Sequence, residues 1–569
     1  MLPARAPGRR PQAAAGVVLI AVLFVIASAI YIVSLPRVGQ LPNNDYYWVL
    51  SQISTDRGPS FAPSRWLSLK SNEHTVLLPA VAYLLNVWLT GGDNRALSFF
   101  SLVLLAIEFA VLFRLLVRQR QWPLAAQAVA GLALAVLVLA PTTAHNFVMG
   151  FSGAIWFLAN VFAVGAAAAL VRHADGAPLW PALLLGVCGG LSYSTGLSIF
   201  PGLLLGAWLL GLPKRDLVGL GAAGCLVVGY SVAFLHPVSG HPVPGATGAW
   251  VILDYFGRYV GAPFSYDRLT TALLGWGGIV SSLFVCTALI RSPEAGRRTV
   301  APWVALQVMV LLNALFTAVC RSGLSEGPGV SRYASVPALF WASFAAMIFL
   351  LWDRHRPALS TSPWMYALAG LLVLGCAAPM YRRGLMTLRD LLDRASYQPA
   401  AAQALLLGIH DDEMLRNVTQ YPEEIWSVYG FLKSVRHVPF RSRQVLGGGD
   451  AALPLEEHPG VVLGYLERVR SIDPRHARAD GWAFAPDDPV AEVVLLNSAG
   501  RIQGRASLGL ERPDVSRVVG RRARASGWSA YVESGGDTSE LRAYARMAHG
   551  RVFYRLQPWS PGTGPRASD

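Results

Sequence analysis

The chain has 569 residues, of which 53% are hydrophobic and 14% charged, with a mean hydropathy of +0.41 and a formal net charge of +14. Soluble domains carry about 25% charged residues, so these values exclude a soluble globular protein, and repeated apolar runs of about 20 residues place the chain among polytopic membrane proteins. The basic excess lies largely in short loops between those runs, where it sets membrane orientation and argues against a nucleic-acid partner.

In chain order, Arg5, Arg9 and Arg10 precede an apolar run over 14–35. The run is too long for a signal h-region and has no clear cleavage site, so it reads as a retained anchor that starts in the cytoplasm. The segment 36–95 is then a first outer loop. Within it, Val76 to Thr90 is strongly apolar but short for a span and contains Pro79, which predicts an interfacial or re-entrant helix. The run 96–117 ends in Arg114, Arg118 and Arg120 and returns to the cytoplasm.

Further spans are predicted at 123–140, 152–171, 180–194, 196–212, 217–235, 271–290, 300–320, 334–352 and 362–380. Their inner connections carry Arg172; Lys214 and Arg215; Arg291, Arg297 and Arg298; and Arg354 and Arg356. This alternation predicts a polytopic α-helical membrane protein of about 11 transmembrane helices, N-terminus in and C-terminus out. Cys188, Cys225, Cys286, Cys320 and Cys376 all fall in or at the end of apolar runs, which implies no disulfide framework and no cysteine zinc site.

After residue 380 the composition turns polar. Residues 381–460 read as a helical region followed by a Gly- and Pro-rich linker, and 461–558 change to short alternating or β-branched runs separated by turn signals. Those runs predict a β-sandwich, periplasmic like the helical region before it, and 559–569 read as a disordered tail.

Polar residues at membrane edges sort to the outer side: Asp45, Glu73, His74, His145, Asn146, Tyr193, Ser194, Arg321, Arg332 and Tyr333. Polar groups at that depth are expensive, so their collection on one face predicts an outward-facing polar cavity between helix ends. Asn43 or Asn44 can N-cap a helix in which Tyr46, Val49, Leu50 and Ile53 share one side, lying flat on the bilayer. Asp45, in its first turn, either complements the helix dipole or serves as a general base. Lys70, Glu73 and His74 either cap and anchor the short apolar helix, or meet the substrate: Glu73 a sugar hydroxyl or a metal, His74 or Lys70 a phosphate. Arg321 and Arg332 bracket a Gly-rich loop, where a guanidinium fork suits a phosphate or diphosphate headgroup, or snorkels to lipid.

Together these features resemble the GT-C superfamily of polytopic glycosyltransferases. The likeness lies in a long first outer loop, an acidic residue soon after the first span, surface helices in that loop and an outer C-terminal domain. NNDYY and SNEH also resemble segments of bacterial membrane proteins grouped with those enzymes. The resemblance implies that Asp45, then Glu73, acts as catalytic base or metal ligand. The adjacent acidic pair of many members is missing, since Tyr46 follows Asp45, which leaves a divalent cation such as Mg or Mn open. DGWAF, ERPDV and SGW in the C-terminal strands are similar to a module of bacterial cell-surface glycan enzymes, in which Trp482 and Trp528 either stack on sugars or fill the core.

The expected function is a glycosyltransferase of the bacterial inner membrane. It would move a sugar from a polyprenyl-phosphate-linked donor to a glycan, glycolipid or protein acceptor at the periplasmic face, with Arg332, Tyr333, Arg321, Lys70 and His74 on the donor phosphate and lipid. Asn44, His145, Asn146, Tyr193 and Ser194 would line the cavity. A glycan polymerase or ligase, a glycolipid transporter or flippase, and a non-enzymatic glycan-binding scaffold are the alternatives.

Overall fold

The computed structural model describes residues 9–72, 74–117, 122–234, 248–265, 267–291, 294–323, 327–355, 363–441, 453–456, 462–533 and 540–558. Glu73, most of the Gly- and Pro-rich linker and the tail 559–569 lie outside the described residues. The chain forms two units: Met1–Pro36, Ser60–Leu85 and Arg95–Arg389 in the first, and Arg37–Pro59, Asn86–Asn94 and Asp390–Asp569 in the second. The first outer loop is therefore shared between them.

Among the described residues, nine helices are long and apolar enough to cross a membrane, from Val18–Arg37 to Trp364–Leu407, which makes this a multi-pass membrane protein. The runs expected at 180–194 and 196–212 form shorter apolar helices, Trp180–Ser192 and Ile199–Leu209, joined by a 3-10 turn over Ser194–Ser198. A Cβ on Gly196 in that turn would lie 2.1 Å from the Gly189 carbonyl oxygen, so the chain can double back there only on glycine. Leu77–Thr90 is also short, at 14 residues. Pro79 does not interrupt it, because it falls in the first turn, where a missing N–H costs nothing.

The last apolar helix runs unbroken from Pro363 to Ala395 through Pro379. The change to polar composition after residue 380 is therefore not a change of element, and the boundary between units falls further on, after Arg389.

Two pairs of short strands lie in the first outer loop. β1 (Ser54–Thr55) pairs with β2 (Gly58–Pro59), and β3 (Lys70–Ser71) with β4 (His74–Thr75), both antiparallel. The second places Lys70 and His74 in a hairpin ahead of the short apolar helix, where the sequence left capping as one alternative. Asn72, at φ 50°, supplies the left-handed turn that a two-residue hairpin requires.

In the second unit, the first-loop segment is fastened to the region after residue 390. Gln398 is buried and acts like a strand partner for Leu41: its Oε1 accepts from Leu41 N at 2.8 Å and its Nε2 donates to Leu41 O at 3.1 Å. Val438 N donates to Gly91 O at 2.7 Å, and Asn94 Nδ2 to Gly39 O at 3.2 Å. The helix Asp45–Ile53 buries Tyr46, Tyr47, Val49, Leu50 and Ile53. Its apolar side is thus taken up by protein and not by the bilayer, a correction to the sequence reading. The cause is long-range packing, seen where Tyr46 meets His437.

Among the described residues, the C-terminal part of this unit has ten strands: β5 (Leu455–Glu456), β6 (Leu463–Ser471), β7 (His476–Phe484), β8 (Val490–Leu496), β9 (Ile502–Arg505), β10 (Ser507–Leu510), β11 (Gly527–Glu533), β12 (Arg542–Met547), β13 (Phe553–Arg555) and β14 (Gln557–Pro558). They form two five-stranded sheets, in the orders β10-β11-β7-β6-β14 and β5-β13-β12-β8-β9. Ala477, Ala479, Trp528, Ala530 and Val532 of the first share one apolar core with Val493, Leu495, Ala543 and Ala545 of the second. Trp528 and Trp482 are 1% and 5% exposed, so both are core residues and neither is a sugar-stacking platform.

Beneath this core, Arg478 and Asp411 form an ion pair whose side chains are 2% and 1% exposed, with Arg478 Nη1 2.5 Å from Asp411 Oδ2. Tyr531 OH donates to the same oxygen at 2.8 Å, and Arg478 Nε donates to Asp480 Oδ2 at 3.1 Å. A buried charge pair survives only when its remaining donors and acceptors are met in this way.

Candidate functional site

Within the first unit, residues from five separate stretches meet in one row of rings. His74 of β4 lies against Tyr193, with ring centroids 4.4 Å apart, and Tyr193 lies against Trp156 at 4.6 Å. Trp156 meets Tyr333 edge-on at 5.5 Å, and Tyr333 meets Tyr259 at 6.1 Å. The row is closed by Tyr259 OH, which donates to Asn313 Oδ1 at 2.8 Å.

Two guanidiniums attach to this row. Arg321, at the C-terminal end of Glu294–Arg321, has Nη2 3.4 Å from His74 Nε2. Since a guanidinium can only donate, Nε2 accepts. Arg332 holds its Cζ 5.3 Å from the Tyr333 ring centroid, a cation–π geometry. Lys70 pairs with Thr75 in the β3–β4 hairpin that carries His74, and Ser194 begins the 3-10 turn that follows Tyr193.

The turn bearing Arg332 and Tyr333 is held by backbone contacts. Ser331 Oγ donates to Thr142 O at 2.5 Å and receives His145 N at 3.3 Å. Asn146 is fully buried; its Nδ2 donates to Arg332 O at 2.9 Å and its Oδ1 accepts from Ser152 Oγ at 2.7 Å. The Asn146 side-chain amide is thus spent on fixing the Arg332 peptide. Arg383 steadies the approach to this turn by donating from Nη1 to Ser265 O at 2.9 Å and from Nη2 to Gly329 O.

Asp45 and Asn44 belong to the second unit. Asn44, at φ 42°, makes no side-chain cap; its Oδ1 accepts instead from Gln420 N at 3.1 Å, while Asn43 Nδ2 donates to Val418 O at 3.1 Å. The helix Pro422–Ser427 packs on Asp45–Ile53 and brings Glu424 toward Asp45. Burial, then the charge of Asp45, then that of Glu423 push the Glu424 carboxyl up to about 7. Its Oε2 is buried and has no hydrogen-bond partner among the described residues.

At the next residue, Tyr46 OH lies 3.1 Å from His437 Nε2, and His437 Nδ1 lies 2.6 Å from Val438 O. A carbonyl cannot donate, so Nδ1 carries the proton and Nε2 accepts from Tyr46. Burial, which exceeds the opposing effect of that carbonyl, pushes the imidazole down to about 4.

Sequence reasoning named His74, Tyr193, Arg321, Arg332 and Tyr333, which the structure brings together. It missed Trp156, Tyr259, Asn313, Arg383, Glu424 and His437. Trp156 sits in the run FSGAIWFLAN, where nothing separates it from an ordinary span residue. Glu108 was missed as well: it is 2% exposed on the span Asn94–Val117, and a carboxylate at such a depth is the kind of signal a charge count by loop passes over. Among the described residues, which do not include Glu73, no group of three or more His, Cys, Asp and Glu is placed to hold a metal ion.

No protein-family model matches the chain, and no curated protein matches it. Among solved structures it is similar to the crystal structure of ArnT from Cupriavidus metallidurans bound to undecaprenyl phosphate. The match has 16% identity and a TM-score of 0.36, over 74% of this chain and 78% of that one. At that TM-score the likeness carries neither fold nor activity across.

Proposed function

We propose that the chain is a membrane glycosyltransferase that takes a sugar from a polyprenyl-phosphate-linked donor and passes it to a glycan, glycolipid or protein acceptor of the cell envelope. The observation that carries this reading is the row His74, Tyr193, Trp156 and Tyr333 with Arg321 and Arg332 attached to it. Guanidinium forks match the oxygens of a phosphate, and aromatic faces match the apolar face of a sugar or the first isoprene of a lipid. A site with both fits a ligand that is phosphate, sugar and lipid at once.

In the reaction, an acceptor hydroxyl oxygen attacks the anomeric carbon, the bond from that carbon to the phosphate oxygen breaks, and polyprenyl phosphate leaves. Asp45 takes the hydroxyl proton. Arg332, with Arg321 or Lys70, meets the charge that gathers on the departing phosphate, where a fixed cation does the most for the rate. Glu73 is the second acid proposed for this chemistry. We place the reaction at the periplasmic face of a bacterial inner membrane, with eleven spans, the N-terminus inside and the C-terminal domain outside. The alternation of basic loops supports that orientation.

The test is transfer from a radiolabelled polyprenyl-phosphate sugar by the purified protein in nanodiscs. Asp45→Asn is expected to keep the folded protein and lower transfer about 10²- to 10⁴-fold, the usual worth of a general base. Full activity in that variant would remove Asp45 as the base.

A further inference from the structure

Glu108 is a buried carboxyl on the membrane span Asn94–Val117, and the transfer reaction proposed above gives it no role. A carboxyl at that depth is costly, and one that persists inside a span calls for a function.

Two glycines bring it to its partner. A Cβ on Gly150 would lie 2.6 Å from Ser98 N, and one on Gly153 would overlap Ser101 Oγ. The spans Asn94–Val117 and Gly150–Ala174 therefore touch near their starts, and the two contacts advance together, so the helices run side by side in the same direction. Seven residues, about two helical turns, beyond Ser101 and Gly153 stand Glu108 and Asn160, on those same faces. The Asn160 side chain is the hydrogen-bonding group beside the Glu108 carboxyl, whose Oε2 has no hydrogen-bond partner among the described residues.

Asn160 leads on to the ring row. It is 1% exposed, and its Nδ2 donates at 3.3 Å to the carbonyl of Ser335, which opens the span Ser335–His355 two residues after Tyr333. Asn146 holds the Arg332 carbonyl at 2.9 Å, so two asparagines pin the segment at both ends with Tyr333 between them. One turn before Asn160 on the same helix is Trp156, which meets Tyr333 edge-on at 5.5 Å. A single helix thus carries the ring that faces Tyr333 and the amide that holds the peptide behind it. An amide with one hydrogen bond can still turn about its χ2 angle, and a second group beside it removes that freedom.

We propose that Glu108 is a positioning residue for the lipid-linked donor: through the Asn160 amide it fixes the Ser335 peptide, and with it the seating of Tyr333 against Trp156. This rests on reading the ring row as the donor site.

The kinetic test uses the full chain in nanodiscs with a radiolabelled polyprenyl-phosphate sugar. Glu108→Gln keeps a hydrogen-bonding end and is expected to behave as the wild type. Glu108→Leu and Asn160→Ala should each raise the donor KM about tenfold, the worth of one buried hydrogen bond, with a smaller fall in kcat. The double variant should be no worse than either alone, because both changes cut one link. Gln307→Leu is the packing control: it breaks another buried pair between spans, Ser282 Oγ to Gln307 Oε1 at 2.7 Å, and should leave KM unchanged. The proposal is overturned if Asn160→Ala or a folded Glu108→Leu leaves KM unchanged, if their effects multiply, if Glu108→Gln is as poor as Glu108→Leu, or if Gln307→Leu raises KM as much. A cryo-electron microscopy structure of Asn160→Ala needs no activity. Tyr333 is expected to have left its edge-on contact with Trp156, and an unmoved ring overturns the proposal. Absence of transfer by the wild type removes the glycosyltransferase reading instead, and leaves this geometric test standing.

Discussion

Asn146 and Arg332 are far apart in sequence, yet the Asn146 Nδ2 donates to the Arg332 carbonyl oxygen at 2.9 Å. This one bond fixes the peptide from which a guanidinium and a tyrosine ring both project. The second hydrogen bond of Asn146, from Ser152, leaves its side chain no freedom to turn away.

Asn146→Ala removes both bonds and leaves two buried polar atoms unmet, the Arg332 carbonyl and the Ser152 hydroxyl. The expected cost is about 1–3 kcal/mol of stability, read as a lower thermal midpoint in nanodiscs. Because the Arg332 turn loosens, the KM for the lipid-linked donor should rise more than kcat falls. An unchanged KM would show that the turn is held by Ser331 and Arg383 alone.

Trp156 joins two halves of the ring row, and it is 6% exposed. Trp156→Ala is expected to cost about 3–5 kcal/mol through the cavity it leaves. Trp156→Phe keeps a ring between Tyr193 and Tyr333 and should cost less. Comparing the two separates packing from recognition: donor binding should fall in both, since neither keeps the full indole face against a ligand.

Glu424 gives the second unit a pH dependence of definite sign. Its carboxyl is raised to about 7 in the folded protein by burial first and Asp45 second, against an unfolded value of about 4.3. The folded state therefore holds this proton more tightly. The stability it contributes is present below the unfolded value and is lost as pH rises through about 7. Glu424→Gln should raise the thermal midpoint at pH 8 and leave it nearly unchanged at pH 4. His437 has the opposite sense: its imidazole is depressed to about 4, so its contribution is present above the unfolded value near 6.5 and is lost as pH falls through about 4. Measuring Glu424→Gln at both pH values separates the two groups, because the variant leaves His437 in place.

The pair Arg478 and Asp411 predicts a non-additive result. Arg478→Met alone strips the buried Asp411 charge of its short ion pair and should cost about 3–5 kcal/mol, whereas Asp411→Leu should cost less because Arg478 keeps its bond to Asp480. The double variant should cost much less than the sum of the two, since neither charge then remains. Guanidinium denaturation followed by Trp fluorescence reads all three.

The sequence by itself determined where the chain is apolar for the length of a bilayer and where it alternates as strands. Both are local periodicities, and a core or a lipid phase enforces them residue by residue. It also singled out His74, Tyr193, Arg321, Arg332 and Tyr333, because charge and aromaticity at the ends of apolar runs are conspicuous without any knowledge of neighbours. Tertiary structure alone decided the rest. Trp156 is unremarkable inside FSGAIWFLAN until Tyr193 and Tyr333 close on it from other segments. The helix Asp45–Ile53 has an apolar side that a bilayer and a protein surface satisfy equally well, and only the residues after 390, with His437 against Tyr46, choose between them. Glu424 is one acid of two at a short helix start until Asp45 stands near it. In each case the deciding contact joins residues tens to hundreds of positions apart, and a local pattern carries no information about a partner at that distance.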